Sequence, residues 1–137
     1  MKKVWIAVVV LLCLAVVGGY CVMDHVFPKA DPISCPDKER IVSVALSQKD
    51  DTSALLAVSE YEWILQGIRE AEPTRIMSVN DYPAVKEYYV IDIVSTTRSY
   101  RYFIYMDDFQ VYVELPYEGI YKANQQFYDR IAECFGS

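Results

Sequence analysis

Residues 87–115 read EYYVIDIVSTTRSYRYFIYMDDFQVYVEL, and this stretch decides the fold. It contains three runs of β-branched and aromatic residues, which are the side chains that favour strands. The links Thr96-Thr97-Arg98 and Asp107-Asp108 are short enough for hairpins. The stretch therefore predicts an antiparallel meander of three strands, at residues 87–95, 100–106 and 109–115.

The sequence before this meander predicts two more strands and a helix. Residues 41–46 have the β-branched pattern of a strand, and the polar turn Lys49-Asp50-Asp51 follows. Residues 52–58 predict a returning strand, with a helix starting at Thr52 as the alternative. Ser59 and Glu62 have the spacing of a capping box, so we expect a helix from Glu60 to about Ala71, stopped by Pro73.

A second helix is expected near the end of the chain, capped by Asn124 and reaching about Cys134. Each helix has one apolar face. The fold class predicted is α+β: an antiparallel sheet of about five strands, in the order β-β-α-β-β-β-α, with two helices on one face. The expected inner positions of the helices are Tyr61, Ile64, Leu65, Ile68, Phe127, Ile131 and Cys134.

The N-terminal segment predicts a membrane location. Val4 to Met23 is uncharged, and its 20 residues at about 1.5 Å each match a bilayer core of about 30 Å. Because Lys2 and Lys3 precede it, the positive-inside rule places the rest of the chain outside the cell. The segment is interpreted as a retained anchor, a signal peptide cut near Gly18-Gly19, or a lipoprotein signal with Cys21 acylated. The predicted division is 1–23 for this segment, 24–36 for a juxtamembrane linker and 37–137 for an extracytoplasmic domain.

Charge and cysteine content restrict the partners. The net charge is −6, without a basic stripe, so nucleic acid is not an expected partner. Cys35 and Cys134 lie at opposite ends of the exported domain, where an oxidising exterior permits a disulfide. Two free thiols are the alternative.

Alternation along the strands predicts two different sheet faces. Phe109, Val111, Val113 and Leu115 form an apolar face expected to lie under the helices. An aromatic outer surface suits recognition, although tyrosines also pair across strands for structural reasons alone. Arg101 is expected to pair with Asp92 or Glu114 across the strands. The predicted outer surface consists of Tyr88, Asp92, Arg101, Phe103, Tyr105, Tyr112 and Glu114.

The sequence contains no recognisable catalytic pattern. Its one histidine, His25, lies beside the apolar segment, so a histidine-based triad or zinc site is not expected. Asp50-Asp51 and Asp107-Asp108 are paired acids in turns, where acids are common. We therefore predict no enzyme, no cofactor and no metal site.

Two segments resemble the signatures of a known family. Thr74 followed by Ser78-Val79-Asn80-Asp81-Tyr82-Pro83 resembles its Thr-x-x-x-Ser-Val-Asn-Asp-x-Pro motif. Val113 to Tyr121 resembles its Ile-Glu-Gln-Pro-Tyr-x-Gly-Ile-Tyr motif, with Leu115 at a position where a polar residue is usual. The family is an uncharacterised group of Gram-positive extracytoplasmic domains that are membrane-anchored or lipoprotein-like. They are similar to domains following antirepressor-type membrane metallopeptidases.

This resemblance covers most of residues 40–134 and implies a sensing or binding role. Gly119 is expected to adopt a positive backbone angle and shape a turn. Tyr117 and Tyr121 are expected to pack that turn or to line a pocket with Asn80 and Asp81. The function predicted is an extracytoplasmic, non-catalytic binding or sensor module for a protein, a peptide or an envelope component. The alternative is a structural accessory subunit of a membrane protein complex.

Overall fold

The computed structural model describes residues 1–49 and 53–136. It contains a long N-terminal helix and an α+β domain, which confirms the predicted fold class. Short 3-10 turns at Lys38–Arg40 and Val58–Glu60 precede β1 and α2. The helices are α1 (Lys2–Val26), α2 (Tyr61–Arg69) and α3 (Gln125–Glu133). The strands are β1 (Ile41–Gln48), β2 (Ser53–Leu55), β3 (Glu72–Pro73), β4 (Tyr89–Ser95), β5 (Ser99–Asp107), β6 (Gln110–Leu115) and β7 (Gly119–Ala123).

All seven strands form one antiparallel sheet in the order β2-β1-β4-β5-β6-β7-β3. The predicted meander is present as β4, β5 and β6, with Asp92 opposite Arg101 and Tyr105 opposite Tyr112. The prediction missed β3 and β7. The first has two residues and contains a proline, and the second follows a turn without a dense β-branched run.

The core lies between the helices and the face of the sheet that they cover, which we call the inner face. Ile64, Leu65 and Ile68 of α2 are buried against it, as the helical spacing predicts. Phe127 and Ile131 of α3 are buried too. The two helices approach so closely at Gly67 that a Cβ atom there would overlap the Phe127 ring.

The helix ends differ in how well they were predicted. Asn124 caps α3, because its Oδ1 accepts a hydrogen bond of 2.8 Å from the Gln126 N–H. The prediction of a capping box at Ser59 is wrong. The chain enters α2 through the 3-10 turn, and the Glu60 carboxylate accepts a hydrogen bond from the Ala57 N–H at 3.3 Å. Cys134 is exposed, not on the inner face, since α3 ends one residue before it.

The hairpin between β5 and β6 corrects the predicted strand start at Phe109. Asp108 and Phe109 both have positive φ, of 45° and 61°, as in a two-residue turn with left-handed central residues. Phe109 is therefore at the tip of the hairpin with 98% of its surface exposed, while Val111 and Val113 face the core.

The predicted linker packs onto the domain. Helix α1 continues to Val26, and the chain then packs against the core through Ala30, Ile33 and Cys35. The Tyr102 hydroxyl donates to the Ser34 carbonyl at 2.6 Å, and the Tyr121 hydroxyl donates to the Asp31 carbonyl at 2.8 Å. Burial raises the pKa of both tyrosines.

Cys35 and Cys134 are free thiols in the structure, so it has the second of the two predicted alternatives and not the disulfide. Cys35 is half-buried near Arg69 and Tyr102, and burial raises the pKa of its thiol. The Cys134 Sγ donates to the Arg130 carbonyl at 3.4 Å at the end of α3.

Candidate functional site

The outer face of the sheet, opposite the helices, is partly covered by residues 74–88, which we call the crossing segment. It starts beside β7, where Thr74 N–H and Oγ1 both donate to the Ile120 carbonyl. It ends beside β1, where Lys49 Nζ donates to the Lys86 carbonyl at 3.0 Å. Pro83 and the turn residues before it keep the segment free of helix and strand, so it can follow the twisted sheet from one side to the other.

A buried polar contact holds the middle of the crossing segment to the sheet. The Ser78 hydroxyl donates to Oε1 of Glu114 on β6 at 2.6 Å, and Glu114 is only 4% exposed. Tyr105 lies beside the same carboxyl group. Burial, together with the charge of Glu114, raises the pKa of Tyr105 well above its usual range. A buried carboxylate without such partners would be costly, so this contact fixes the position of the segment.

Beyond Ser78 the segment leaves a depression of about 400 Å³ over β1, β4 and β5. Its aromatic wall consists of Tyr82, Tyr88 and Phe103, and the Tyr88 and Phe103 rings meet edge to face at 5.4 Å. Lys49, Asp81 and Arg101 place charges around the depression. Aromatic surface with a few charged groups at its edge is typical of sites that bind small molecules or short chain segments.

The charged groups of the depression are oriented by neighbours. Arg101 makes a bidentate ion pair with Asp92, with Nε–Oδ1 at 2.7 Å and Nη2–Oδ2 at 2.9 Å. This is one of the two pairings predicted for Arg101. The Asp92 carboxylate raises the pKa of the Arg101 guanidinium. Lys49 Nζ lies 5.4 Å from the centre of the Tyr88 ring, so this cation faces the aromatic wall.

Of the predicted site residues, Tyr88, Arg101 and Asp81 come together in this depression. Tyr117 reaches its neighbourhood, because its hydroxyl donates to Asp81 Oδ1 at 2.6 Å. Asn80 is exposed in an adjoining hollow that Tyr117 also lines.

Other predicted residues have different environments. Phe103, Tyr105 and Glu114 are buried on the outer face, so their prediction as an exposed surface is wrong. Tyr112 is half-buried and packs on Tyr105 with ring centres 5.7 Å apart. Tyr121 lies on the inner face, because β7 places alternate residues there, and it does not join Asn80 and Asp81.

The turn at Gly119 is also different from the prediction. Tyr117, not Gly119, has the positive φ, of 62°. Gly119 is buried against the segment leading from α1, and a Cβ atom there would lie 2.5 Å from the Ala30 Cβ. Glycine is thus needed for close packing at this position and not for its backbone angle.

Sequence reasoning missed Lys49 and Tyr82 as members of the site. Neither belongs to the alternating pattern of the meander, since Lys49 follows β1 and Tyr82 lies in a turn. The Asn-Asp-x-Pro turn signal was the available pointer to Tyr82. Across residues 1–49 and 53–136, no three His, Cys, Asp or Glu side chains lie close enough to share a metal ion.

Comparisons with known proteins give a family and a fold. The profile of the DUF5301 family, described as a domain of unknown function, matches residues 29–122. An NMR structure of a protein from Ruminococcus gnavus is similar with a TM-score of 0.59 and 24% identity, covering 69% of this chain and 97% of the other. That similarity concerns the fold. No curated protein matches the chain.

Proposed function

The chain belongs to the DUF5301 family of domains of unknown function, and we propose that it is an extracytoplasmic, non-catalytic binding module anchored in the membrane by α1. The helix has 25 residues with a mean hydropathy of 2.8 in its most apolar window, which suits a membrane span or a signal sequence. The positive charges of Lys2 and Lys3 favour export of the domain.

The single observation that supports a binding role is the depression between the crossing segment and the outer face. Its aromatic wall suits an apolar group, while Lys49, Asp81 and Arg101 suit the polar groups beside it. A short peptide segment from an envelope protein combines these properties, with an apolar side chain flanked by backbone carbonyls and amides. The resemblance to Gram-positive domains that follow membrane metallopeptidases makes a sensor role part of this proposal.

Site-specific photo-crosslinking in intact membranes tests the proposal. A photo-reactive amino acid at Tyr82, which is exposed beside the depression, is expected to capture a defined partner. The matched control carries the same group at Leu55, which is exposed on the edge strand β2. Adding Tyr88→Ala to the Tyr82 probe should reduce capture by about fivefold or more, as expected of a residue that contributes over about 1 kcal/mol. The same products from both probe positions would contradict the proposal.

The orientation of the anchor is tested separately. If the domain is outside the cell, protease added to intact protoplasts should remove it, whereas protection that ends only on lysis would place it in the cytoplasm.

The accessory-subunit alternative is favoured by a different observation, the exposed ring of Phe109. An aromatic side chain in a left-handed conformation at a hairpin tip has little to contact within its own chain. If it packs on a partner subunit, Phe109→Ala should release that partner without changing capture by the Tyr82 probe. Unchanged partner retention in the Phe109 variant would contradict this alternative.

A further inference from the structure

One end of the sheet meets the end of α1. The chain leaves α1 at Phe27, and three residues later Ala30 donates its N–H to the Thr74 carbonyl at 3.2 Å. Ala30 also packs on Gly119, beside the turn that joins β6 to β7. We call this the anchored end of the domain. The Asp108-Phe109 turn is at the other end of β6, about 20 Å away for six residues at about 3.3 Å each.

Arg75 joins the crossing segment to the last turn of α1. Its Nη1 donates to the Phe27 carbonyl at 2.6 Å and to the Met23 carbonyl at 3.5 Å, and its Nη2 pairs with the Asp24 carboxylate. The Met23 carbonyl also accepts the Phe27 N–H, whereas the Phe27 carbonyl lies beyond the helix and is satisfied by the guanidinium. The contact brings residues 76–79 to the level where the apolar run of α1 ends.

The residues that follow Arg75 are apolar and exposed. Ile76, Met77 and Val79 have 53%, 59% and 67% of their surfaces exposed, and Phe27 has 57%. Between Ile76 and Val79 the chain turns its Ser78 hydroxyl inward to Glu114, so the apolar side chains point away from the sheet. Clustered exposed apolar side chains usually mark a contact surface.

Two further features at the same end match the membrane–water interface. Tyr117 is more than half exposed beside the cluster, and tyrosine is enriched at the headgroup level of membranes. A hollow of about 380 Å³ lies along α1, lined by Tyr20, Met23 and the Arg75 side chain among others. A lipid chain lying against α1 would fill it.

We propose that Phe27, Ile76, Met77 and Val79 insert into the headgroup region of the bilayer that α1 spans. The domain is then seated on the membrane by its anchored end, and the Phe109 turn points away from the lipid. Continuity with α1 identifies lipid as the occupant, because the apolar cluster begins where the membrane-spanning run ends. This inference rests on the retained anchor of the proposed function.

The test uses full-length protein in lipid nanodiscs, with the four native cysteines replaced by serine or alanine. An environment-sensitive fluorophore is attached at Met77→Cys, and the matched control carries it at Phe109→Cys at the opposite end. The Met77 probe is expected to emit at shorter wavelength than the Phe109 probe. It should also be quenched more strongly by headgroup-labelled than by mid-chain-labelled lipid. Equal, water-like emission from both probes would overturn the inference.

A second variant tests whether the exposed apolar side chains themselves contact the lipid. Ile76→Asp together with Val79→Asp should leave the unfolding transition unchanged, since both side chains are exposed, but should weaken lipid quenching of the Met77 probe severalfold. Leu55→Asp is the control and should leave quenching intact. Undiminished quenching in the double variant would contradict the role of the cluster.

The molecular mass of the protein recovered from cells shows whether α1 is retained, and this distinguishes failure of the inference from failure of the proposed function. Loss of α1 from the mature chain would overturn this inference and the membrane anchoring in the proposed function. An intact α1 with a water-exposed Met77 probe would overturn the seating alone and leave the binding role standing.

Discussion

The two faces of the sheet are covered by different means. The inner face is packed by two helices through fully buried side chains such as Ile104, Val113 and Ile68. The outer face is covered by one irregular segment that is held at separate points by Ser78–Glu114, Asp81–Tyr117 and Lys49–Lys86 contacts. Apolar burial acts over the whole inner face, whereas the outer cover depends on a few polar contacts.

This difference explains why the depression is on the outer face. Helices with apolar stripes fill the space above a sheet continuously, because their side chains interdigitate with it. An irregular segment touches the sheet only at intervals and leaves room between its contacts. The inner face should therefore determine stability, and the outer face should determine the position of the crossing segment.

The largest expected effect comes from truncating a side chain on the inner face. Ile104 lies on the central strand β5 between Tyr89 and Val113 and is fully buried. Ile104→Ala should lower the free energy of unfolding by about 2–5 kcal/mol, because it leaves a cavity. Urea unfolding followed by circular dichroism measures the change. A loss below about 1 kcal/mol would mean that the inner face is not the main core.

A smaller loss is expected from releasing the crossing segment. Ser78→Ala removes the hydroxyl that donates to the buried Glu114 carboxylate, which should cost about 1–3 kcal/mol. Proteolysis within residues 79–84 should become faster, since the segment loses its central contact. The control is Ser99→Ala, an exposed serine on β5, expected to change stability by less than about 0.5 kcal/mol. Equal behaviour of the two variants would show that the buried contact does not hold the segment.

Alkaline pH should weaken both faces through buried tyrosines. Burial raises the pKa of Tyr102 on the inner face and Tyr105 on the outer face above the ordinary value of 10.0. Between that value and the raised pKa, the unfolded chain releases a proton that the folded chain keeps. The contribution of these two tyrosines to stability should therefore be unchanged below pH 10 and fall above it, by at most about 1.4 kcal/mol per pH unit for each tyrosine.

Urea midpoints measured from pH 9 to 11.5 check this dependence. Tyr102→Phe should make the decline shallower, because one of the titrating groups is gone. A decline of unchanged slope in that variant would assign the alkaline instability to other residues.

The smallest expected effect is a gain in stability at the β5–β6 turn. Phe109 has a φ of 61°, which is unfavourable for a residue with a Cβ atom. Phe109→Gly should stabilise the domain by up to about 1 kcal/mol, less the entropy that glycine adds to the unfolded chain. Phe109→Ala is the matched control, because it removes the ring but keeps the Cβ. A Gly variant no more stable than the Ala variant would show that the turn is not strained.

Much of the fold could be predicted because its signals are local. The strands of the meander, the inner face of α2 and the Asn124 cap each depend on residues a few positions apart. The errors concern elements without a local signal. Strand β3 has two residues, β7 follows a turn, and Phe109 was assigned to a strand because an aromatic residue at a left-handed turn position is unusual.

The candidate site was only half predictable for a related reason. Alternation along β4 and β5 identified Tyr88 and Arg101 on one face, and this depends on backbone geometry alone. Alternation does not reveal what covers that face. Tyr105 and Glu114 were assigned to the correct face but are buried there by a segment that precedes the meander in sequence.

The sequence by itself determined the apolar N-terminal helix, the strand pairing of the meander and the helices that cover one face. These follow from hydrophobic runs, side-chain periodicity and turn residues, which act between neighbours along the chain. Tertiary structure alone decided the path of the crossing segment, the inward position of Tyr121 and the burial of Glu114. Ser78 and Glu114 are 36 residues apart, and Arg75 is 51 residues from Asp24. Contacts at such separations depend on how the whole sheet is assembled, so no local pattern contains them.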